Sequence, residues 1–265
     1  MISRLTRLNI VKTARSVGSV HFGGSFSVVE ILEAHFSDVI DGHKNFDDFI
    51  SENTLILSKG HCGLAVYSML TAMKIIPEDN LATYCKDDGL FIGHIKKNEH
   101  LGIGWSTGSL GHGLSVAMGI ASAHRHKGSN HRVICILGDG EMHEGSNWEA
   151  LLHLSHDDNL PLTIILDNNQ FLSLDRTQNV RPLEPIHQKI EAFNLNVMSL
   201  NGHDVSALKS AMNDARKTKC ATFMNANTLK GYGVSLTAGV VEWHAKRASE
   251  AELHMMEREL TSGPL

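Results

Sequence analysis

Arg132-Val133-Ile134-Cys135-Ile136-Leu137-Gly138-Asp139-Gly140 and, one helix later, Leu162-Thr163-Ile164-Ile165-Leu166-Asp167-Asn168-Asn169 are two apolar runs, each ending in a tight, oxygen-rich turn. Their unbroken β-branched and apolar character predicts strands buried on both faces. Between them, Glu144 to Leu154 has helical spacing through Trp148, Leu151 and Leu152. Working outward, Thr54 to Leu57 reads as another buried strand, and Leu195 to Leu200 and Ala221 to Met224 as two more around a helix from Val205 to Lys217. Leu64 to Met73 and Leu114 to His126 read as helices. A helical stripe beginning at Leu5 breaks at Gly18, and a loop from Ser19 to Ser25, containing Gly23 and Gly24, leads to a second helix from about Ser27 to Ile40. Gly89 to Gly113 is glycine-rich with little periodicity, which predicts a long ordered loop of the kind that binds ligands. Strands alternating with helices predict an α/β fold, a parallel sheet with helices on both faces, over residues 1–265 as one domain.

Composition narrows the function classes. The chain carries 24 Lys and Arg against 29 Asp and Glu, a formal charge of -5, with no basic run interleaved with aromatics, so nucleic acid is not an expected partner. The most apolar stretch, Leu110 to Ala123, is interrupted by Gly, His and Ser, so no membrane span is expected. The first sixteen residues place Arg4, Arg7, Lys12 and Arg15 among their apolar positions and lack the apolar core of a signal peptide. Cys62, Cys85, Cys135 and Cys220 are widely spaced and form no C-x-x-C, as in a reduced, cytoplasmic protein. Histidine is frequent, with 17 residues, and its chemistry makes the position of each one the next question.

In an open parallel sheet, ligands bind beyond the carboxyl ends of the strands. There Asp139 offers a carboxylate, Asn169 an amide oxygen and the loop after it a backbone carbonyl. That set suits a hard cation such as Mg²⁺, which leaves positions open for substrate phosphates and so implies a diphosphate ligand. Gly140 has no side chain to keep a phosphate from its N–H. Each turn alone is ordinary turn chemistry, and only the pair is informative. The dinucleotide fingerprint is disfavoured, because Gly138, Gly140 and Gly145 have the wrong final spacing, and a P-loop is excluded because Lys59 precedes Gly60.

Gly138-Asp139-Gly140 followed at a distance by Asn168-Asn169 resembles the thiamine-diphosphate binding motif. Further matches, in order along nearly the whole chain, make it similar to the transketolase family: Ser58-Lys59-Gly60-His61, Ser106 to Gly111, Glu144-Gly145, Glu149-Ala150, Thr228 to Gly233, and Trp243-His244. The resemblance implies that Asp139, Asn169 and the carbonyl of Phe171 ligate Mg²⁺. It implies that Gly138 and Gly140, with His61 and His244, lie against the diphosphate of thiamine diphosphate, and that Gly108 and Leu110 lie against its aminopyrimidine. His21 and His94 match family histidines that face the substrate and move its hydroxyl protons, so His21, His61, His94 and His244 form the expected catalytic set. Glu144 matches an acid at the subunit interface, coupled to the neighbouring cofactor site. His124, His126, His131, His153 and His156 receive no metal role, the last two lacking a third ligand.

The resemblance also implies what is missing. Transketolases carry a diphosphate-binding domain like this one, then a pyrimidine-binding domain and a C-terminal domain, and the pyrimidine domain supplies a glutamate for which this chain has no match. The expectation is a partner chain, the C-terminal transketolase subunit, which joins this one in a heterotetramer. The alternative is a fragment of a longer product, against which the Met1 start and a terminal helix after Trp243 speak. The expected reaction is transfer of a two-carbon ketol unit from a ketose to an aldose. The alternatives are a 2-oxo-acid-using thiamine-diphosphate enzyme and a non-catalytic regulatory module. Three departures bear on the substrate side: Val20 and Phe22 flank His21 where the family usually has Gly and Pro, Ile95 follows His94 where Pro is usual, and His112 replaces a common Gln.

Overall fold

A computed structural model describes residues 2–156, 160–218 and 220–262. Five parallel strands form the central sheet: β2 (Asn53–Leu57), β3 (Arg132–Gly138), β4 (Leu162–Asn168), β5 (Asn196–Asn201) and β6 (Thr222–Asn227), in the order β2-β3-β4-β6-β5. Two short strands, β1 (Ser19–Val20) and β7 (Lys246–Arg247), pair antiparallel away from it.

The two-residue period of a strand divides the core. Ile134, Ile136, Ile165 and Met224 face one apolar layer, with side chains of the Ile2–Val17, Val29–His35, Gly63–Ala72, Val205–Lys217 and Glu250–Ser262 helices. Val133, Cys135, Leu137, Ile164, Leu166 and Phe223 face the other, with the Gly113–His126, Gly145–Leu154 and Ile186–Glu191 helices. The parallel sheet with helices on both faces is therefore as the sequence predicts. In register, Gly138 lies beside Asp167, which brings the turns after β3 and β4 next to each other.

Two expectations need correction. Strand β5 is not buried on both faces, since none of its residues is fully covered; it is the sheet edge, and its Asn196, Ser199 and Asn201 suit that position. The helix expected from Ser27 to Ile40 is two short helices, Val29–His35 and Ser37–Ile40, and a further helix, Phe22–Ser27, precedes them, with Gly23 and Gly24 inside it rather than in a loop. Close packing explains the pair: a Cβ on Gly24 would stand 2.8 Å from Cys62 Sγ, and one on Gly23 would stand 2.8 Å from the Lys230 side chain. Among the described residues, no helix is long and apolar enough to cross a membrane.

Candidate active site

A cleft of about 370 Å³ opens at the carboxyl ends of β2, β3 and β4. Of the residues anticipated from sequence, His61, Leu110, Gly138, Asp139, Gly140, Asn169, Phe171 and His244 line it. Asp139 is 2% exposed. Its Oδ1 accepts from the Gly140 N–H at 2.9 Å and the Gln170 N–H also lies close to the carboxylate, while among the described residues Oδ2 makes no hydrogen bond of ordinary geometry. Burial, reinforced by the nearby Asp167 carboxylate, pushes the Asp139 carboxyl up to about 7. A buried carboxylate oxygen without a donor is costly unless a cation meets it. Asn169 is held in place beside it. Its Nδ2 donates to Ser27 Oγ at 3.3 Å and its Oδ1 accepts from the Phe171 N–H at 3.1 Å, so the amide oxygen lies on the Phe171 side. Carboxylate, carboxamide and peptide carbonyl are hard oxygen donors, and this set fits Mg²⁺.

The four anticipated histidines converge although their positions in the chain are far apart. The His21 ring centroid is 5.2 Å from that of His61, 6.2 Å from that of His94 and 5.6 Å from that of His244, and His61 and His244 are 5.7 Å apart. Phe22 packs edge to face on Trp243 at 5.5 Å, and the β1–β7 pair joins the flanking residues, so the segments carrying His21 and His244 are fastened together. Burial and neighbouring positive charge favour the neutral form of His21, His61 and His244. His61 is driven well below the usual range by desolvation and then by Lys59; His21 is lowered by desolvation and His94; His244 falls to about 4 through desolvation and Lys230. His94 is exposed, on the long loop.

Gly108, Glu144, His21 and His94 are not among the residues that line the cleft. A Cβ on Gly108 would come within 3.3 Å of the His94 ring, which places this glycine beside the histidine group. Glu144 is exposed and stands, in an extended conformation, at the N-cap position of the Gly145–Leu154 helix without a side-chain capping bond. Of the departures from the family pattern, Ile95 uses its N–H to donate to the Gly60 carbonyl at 3.1 Å, a bond that a proline could not make.

Sequence reasoning gave no role to several residues of this cleft. Lys59 and Asp167 form a buried ion pair, with Asp167 also accepting from Ser27 Oγ at 2.6 Å and from Thr228 Oγ1. Burial opposes the Lys59 charge, yet Asp167 outweighs it and the pKa is raised. Lys230 is 1% exposed, donates to the Leu172 carbonyl at 2.8 Å, and stands 3.5 Å from His244 Nδ1. Burial and Lys59 push its pKa down to about 8. His143 places one ring nitrogen 3.1 Å from the Gly140 carbonyl and the other 2.9 Å from the Arg181 carbonyl, and donates to one of them in either neutral tautomer. Lys59 and Lys230 each sit beside a glycine in a loop after a strand, a signal for anion binding that was legible in the sequence. A buried group of cations beside an orphaned carboxylate oxygen can hold a metal-bound, multiply charged anion.

Comparison with known proteins agrees with this geometry. The family model described as "Transketolase, thiamine diphosphate binding domain" matches residues 1–264. The chain is 35% identical over 257 residues to one of the subunits of the apulose-4-phosphate transketolase of Actinobacillus succinogenes, covering 96% of this chain and 92% of that protein. It is 32% identical to a 6-deoxy-6-sulfo-D-fructose transketolase subunit of a Clostridium species, covering 94% and 90%. The transketolase of Campylobacter jejuni superimposes with a TM-score of 0.86 at 22% identity, over 99% of this chain and 42% of that one. The chain thus spans about two fifths of the transketolases of known structure that it matches, but nearly all of the subunits that it matches in sequence. By the residues matched and by this fold, the chain belongs to the transketolase family of ketol-transferring enzymes, as its thiamine diphosphate binding domain.

Proposed function

We propose that this chain is the diphosphate-binding, N-terminal subunit of a split transketolase that moves a two-carbon ketol unit from a ketose, a sugar phosphate, to an aldose acceptor. It works in the cytoplasm, a reducing compartment in which the free thiols of Cys62, Cys85 and Cys135 persist. The relatives named as transketolase subunits support a partner chain. That partner carries the pyrimidine-binding and C-terminal domains, and two copies of each chain form a heterotetramer with the active site between chains.

The observation that carries the reading is the partnerless Oδ2 of buried Asp139, beside Asn169 and the cationic cleft wall. Asp139, Asn169 and the Phe171 carbonyl would hold Mg²⁺; Gly138, Gly140, His61, His244 and Lys230 would take the diphosphate. When bound, thiamine diphosphate supplies a nucleophilic carbon and an electron sink for breaking the carbon–carbon bond of the ketose. Asn169 keeps its amide oxygen in place through its bond to Ser27, and Lys59 balances Asp167 beneath the site. Neutral His21, with His94 beside it, accepts a hydroxyl proton from the sugar and returns it. Gly108 and Leu110 form the wall for the aminopyrimidine, and Glu144 lies at the boundary with the neighbouring subunit.

The test is reconstitution with the partner chain. Ketol transfer from xylulose 5-phosphate to an aldose should require both chains, Mg²⁺ and thiamine diphosphate, with neither chain active alone. Carbon dioxide release from pyruvate without ketol transfer would overturn the choice of substrate class. Absence of any thiamine diphosphate-dependent turnover, with binding retained, would favour a regulatory module.

A further inference from the structure

Glu141 follows the Gly138-Asp139-Gly140 turn, is 2% exposed, and has no part in the roles above. Its carboxylate gathers donors from three separate segments. Oε1 accepts from the Ser58 hydroxyl, just after β2, and from the Gly111 N–H at 2.8 Å. Oε2 accepts from the Gly138 N–H at 3.2 Å. The Gly111 peptide is also gripped from its other side, its carbonyl accepting from Ser146 Oγ at 2.7 Å. Gly111 has φ of +86°, and a Cβ there would lie 2.5 Å from Glu144 Cβ, so only glycine lets the loop reach the turn at this point.

A buried carboxylate is expensive to desolvate, and here its oxygens are spent on loop backbone and one hydroxyl. The segments it joins are the end of β3, which leads into Asp139, and the loop that carries Gly108 and Leu110. We propose that Glu141 is a positioning residue that fixes the Gly108–Gly111 loop relative to the Gly138–Gly140 turn. The two ends of the cofactor site within this chain are thereby set at one spacing. The inference rests on the proposed function, in which that loop meets the aminopyrimidine and that turn meets the diphosphate. Without Glu141 the diphosphate grip of Asp139, Asn169, His61 and Lys230 remains, but the loop loses its register over it.

The experiment compares the wild-type complex of this chain and its partner with a Glu141→Gln variant, by calorimetric titration of two probes with Mg²⁺: thiamine diphosphate and inorganic pyrophosphate. A glutamine offers one acceptor oxygen where two are used, so either the Ser58–Gly111 arm or the Gly138 arm is lost. The Kd for thiamine diphosphate should rise about tenfold or more, as expected for losing a buried charge-assisted hydrogen bond, while that for pyrophosphate stays within about twofold. Amide exchange should quicken in the variant, without any ligand, at Gly111 or at Gly138, whichever N–H faces the new amide NH₂. Ser58→Ala, which removes one donor to the same oxygen, should act in the same direction more weakly and carries the test if Glu141→Gln does not fold. An equal rise for both probes, or no change in either, would overturn the proposal, the first because Glu141 would then merely support the turn. A wild-type complex that binds pyrophosphate but not thiamine diphosphate would overturn the functional reading and this inference with it.

Discussion

The imidazoles of His21 and His244 meet edge to face, with ring centroids 5.6 Å apart and planes at 86°. The contact depends on Phe22 packing against Trp243 at 5.5 Å, with Lys246 Nζ 4.1 Å from the centre of the indole. Phe22→Ala should destabilise the chain by about 3–5 kcal/mol, the usual cost of emptying a buried aromatic site. In the fraction that remains folded, kcat/KM for the ketose should fall more than the affinity for thiamine diphosphate, because His21 moves and the diphosphate grip does not. Thermal unfolding and steady-state kinetics of the reconstituted complex check both parts, and a variant with normal kcat/KM would remove His21 from the chemistry.

Lys59 and Asp167 are both 2% exposed or less; Lys59 lines the cleft and Asp167 lies buried behind it. Removing one member of a buried pair leaves an uncompensated charge, so Lys59→Met and Asp167→Asn should each cost about 3–5 kcal/mol. The double variant should cost clearly less than the sum of the two. Denaturant unfolding of the four proteins measures the coupling, and simple additivity would mean that the pair contributes nothing as a pair.

His35 gives the fold an acid limit. It is 2% exposed, packs on Phe36 and Phe49, and its Nδ1 has no hydrogen-bond partner among the described residues. Burial, aided by Arg216, pushes its pKa down to about 3. The unfolded chain takes up a proton near pH 6.5 that the folded chain refuses until about pH 3. The stabilising contribution is thus fully present above pH 6.5 and is lost as pH falls through that window, by up to about 1.4 kcal/mol per pH unit. His35→Phe should flatten this part of the stability curve, measured by urea unfolding from pH 7 to pH 4; an unchanged slope would assign the acid sensitivity to other groups.

Much of the architecture was legible because period and burial agree in β3 and β4, whose every residue but Arg132 is covered. The adjacency of Asp139 and Asn169 follows from two consecutive strands of one parallel sheet, paired so that Gly138 lies beside Asp167. The exposed edge strand β5 was overestimated because a short apolar run does not announce whether a neighbour covers it. The Phe22–Ser27 helix was missed because two glycines in sequence suggest a loop, and what makes them helical is tertiary: the close approach of Cys62 and Lys230. Among the site residues, histidines within motifs were easy to find. Glu141 and Asp167 were not, since a buried carboxylate is recognised by its donors, and those come from Ser27, Ser58, Gly111 and Thr228 in other segments.

The neutral state of His244 makes a spectroscopic prediction. Desolvation and Lys230 bring its pKa to about 4, so in the ligand-free chain its ring should remain uncharged at pH 5.5. A bound diphosphate adds negative charge close by and should raise that pKa. Proton-detected titration of the histidine side chains, with and without Mg²⁺ and thiamine diphosphate, should show an upward shift assigned by its absence in His244→Gln. A shift in the opposite direction would place the anion elsewhere.

The most direct measurement is calorimetric titration of Mg²⁺ and thiamine diphosphate into the reconstituted complex, with wild-type chain and with Asp139→Ala. The account predicts Mg²⁺-dependent binding to the wild type and a loss of about a hundredfold or more in the variant, as expected when a charged ligand of the metal is removed. Equal affinity in the two proteins, or binding indifferent to Mg²⁺, would contradict it.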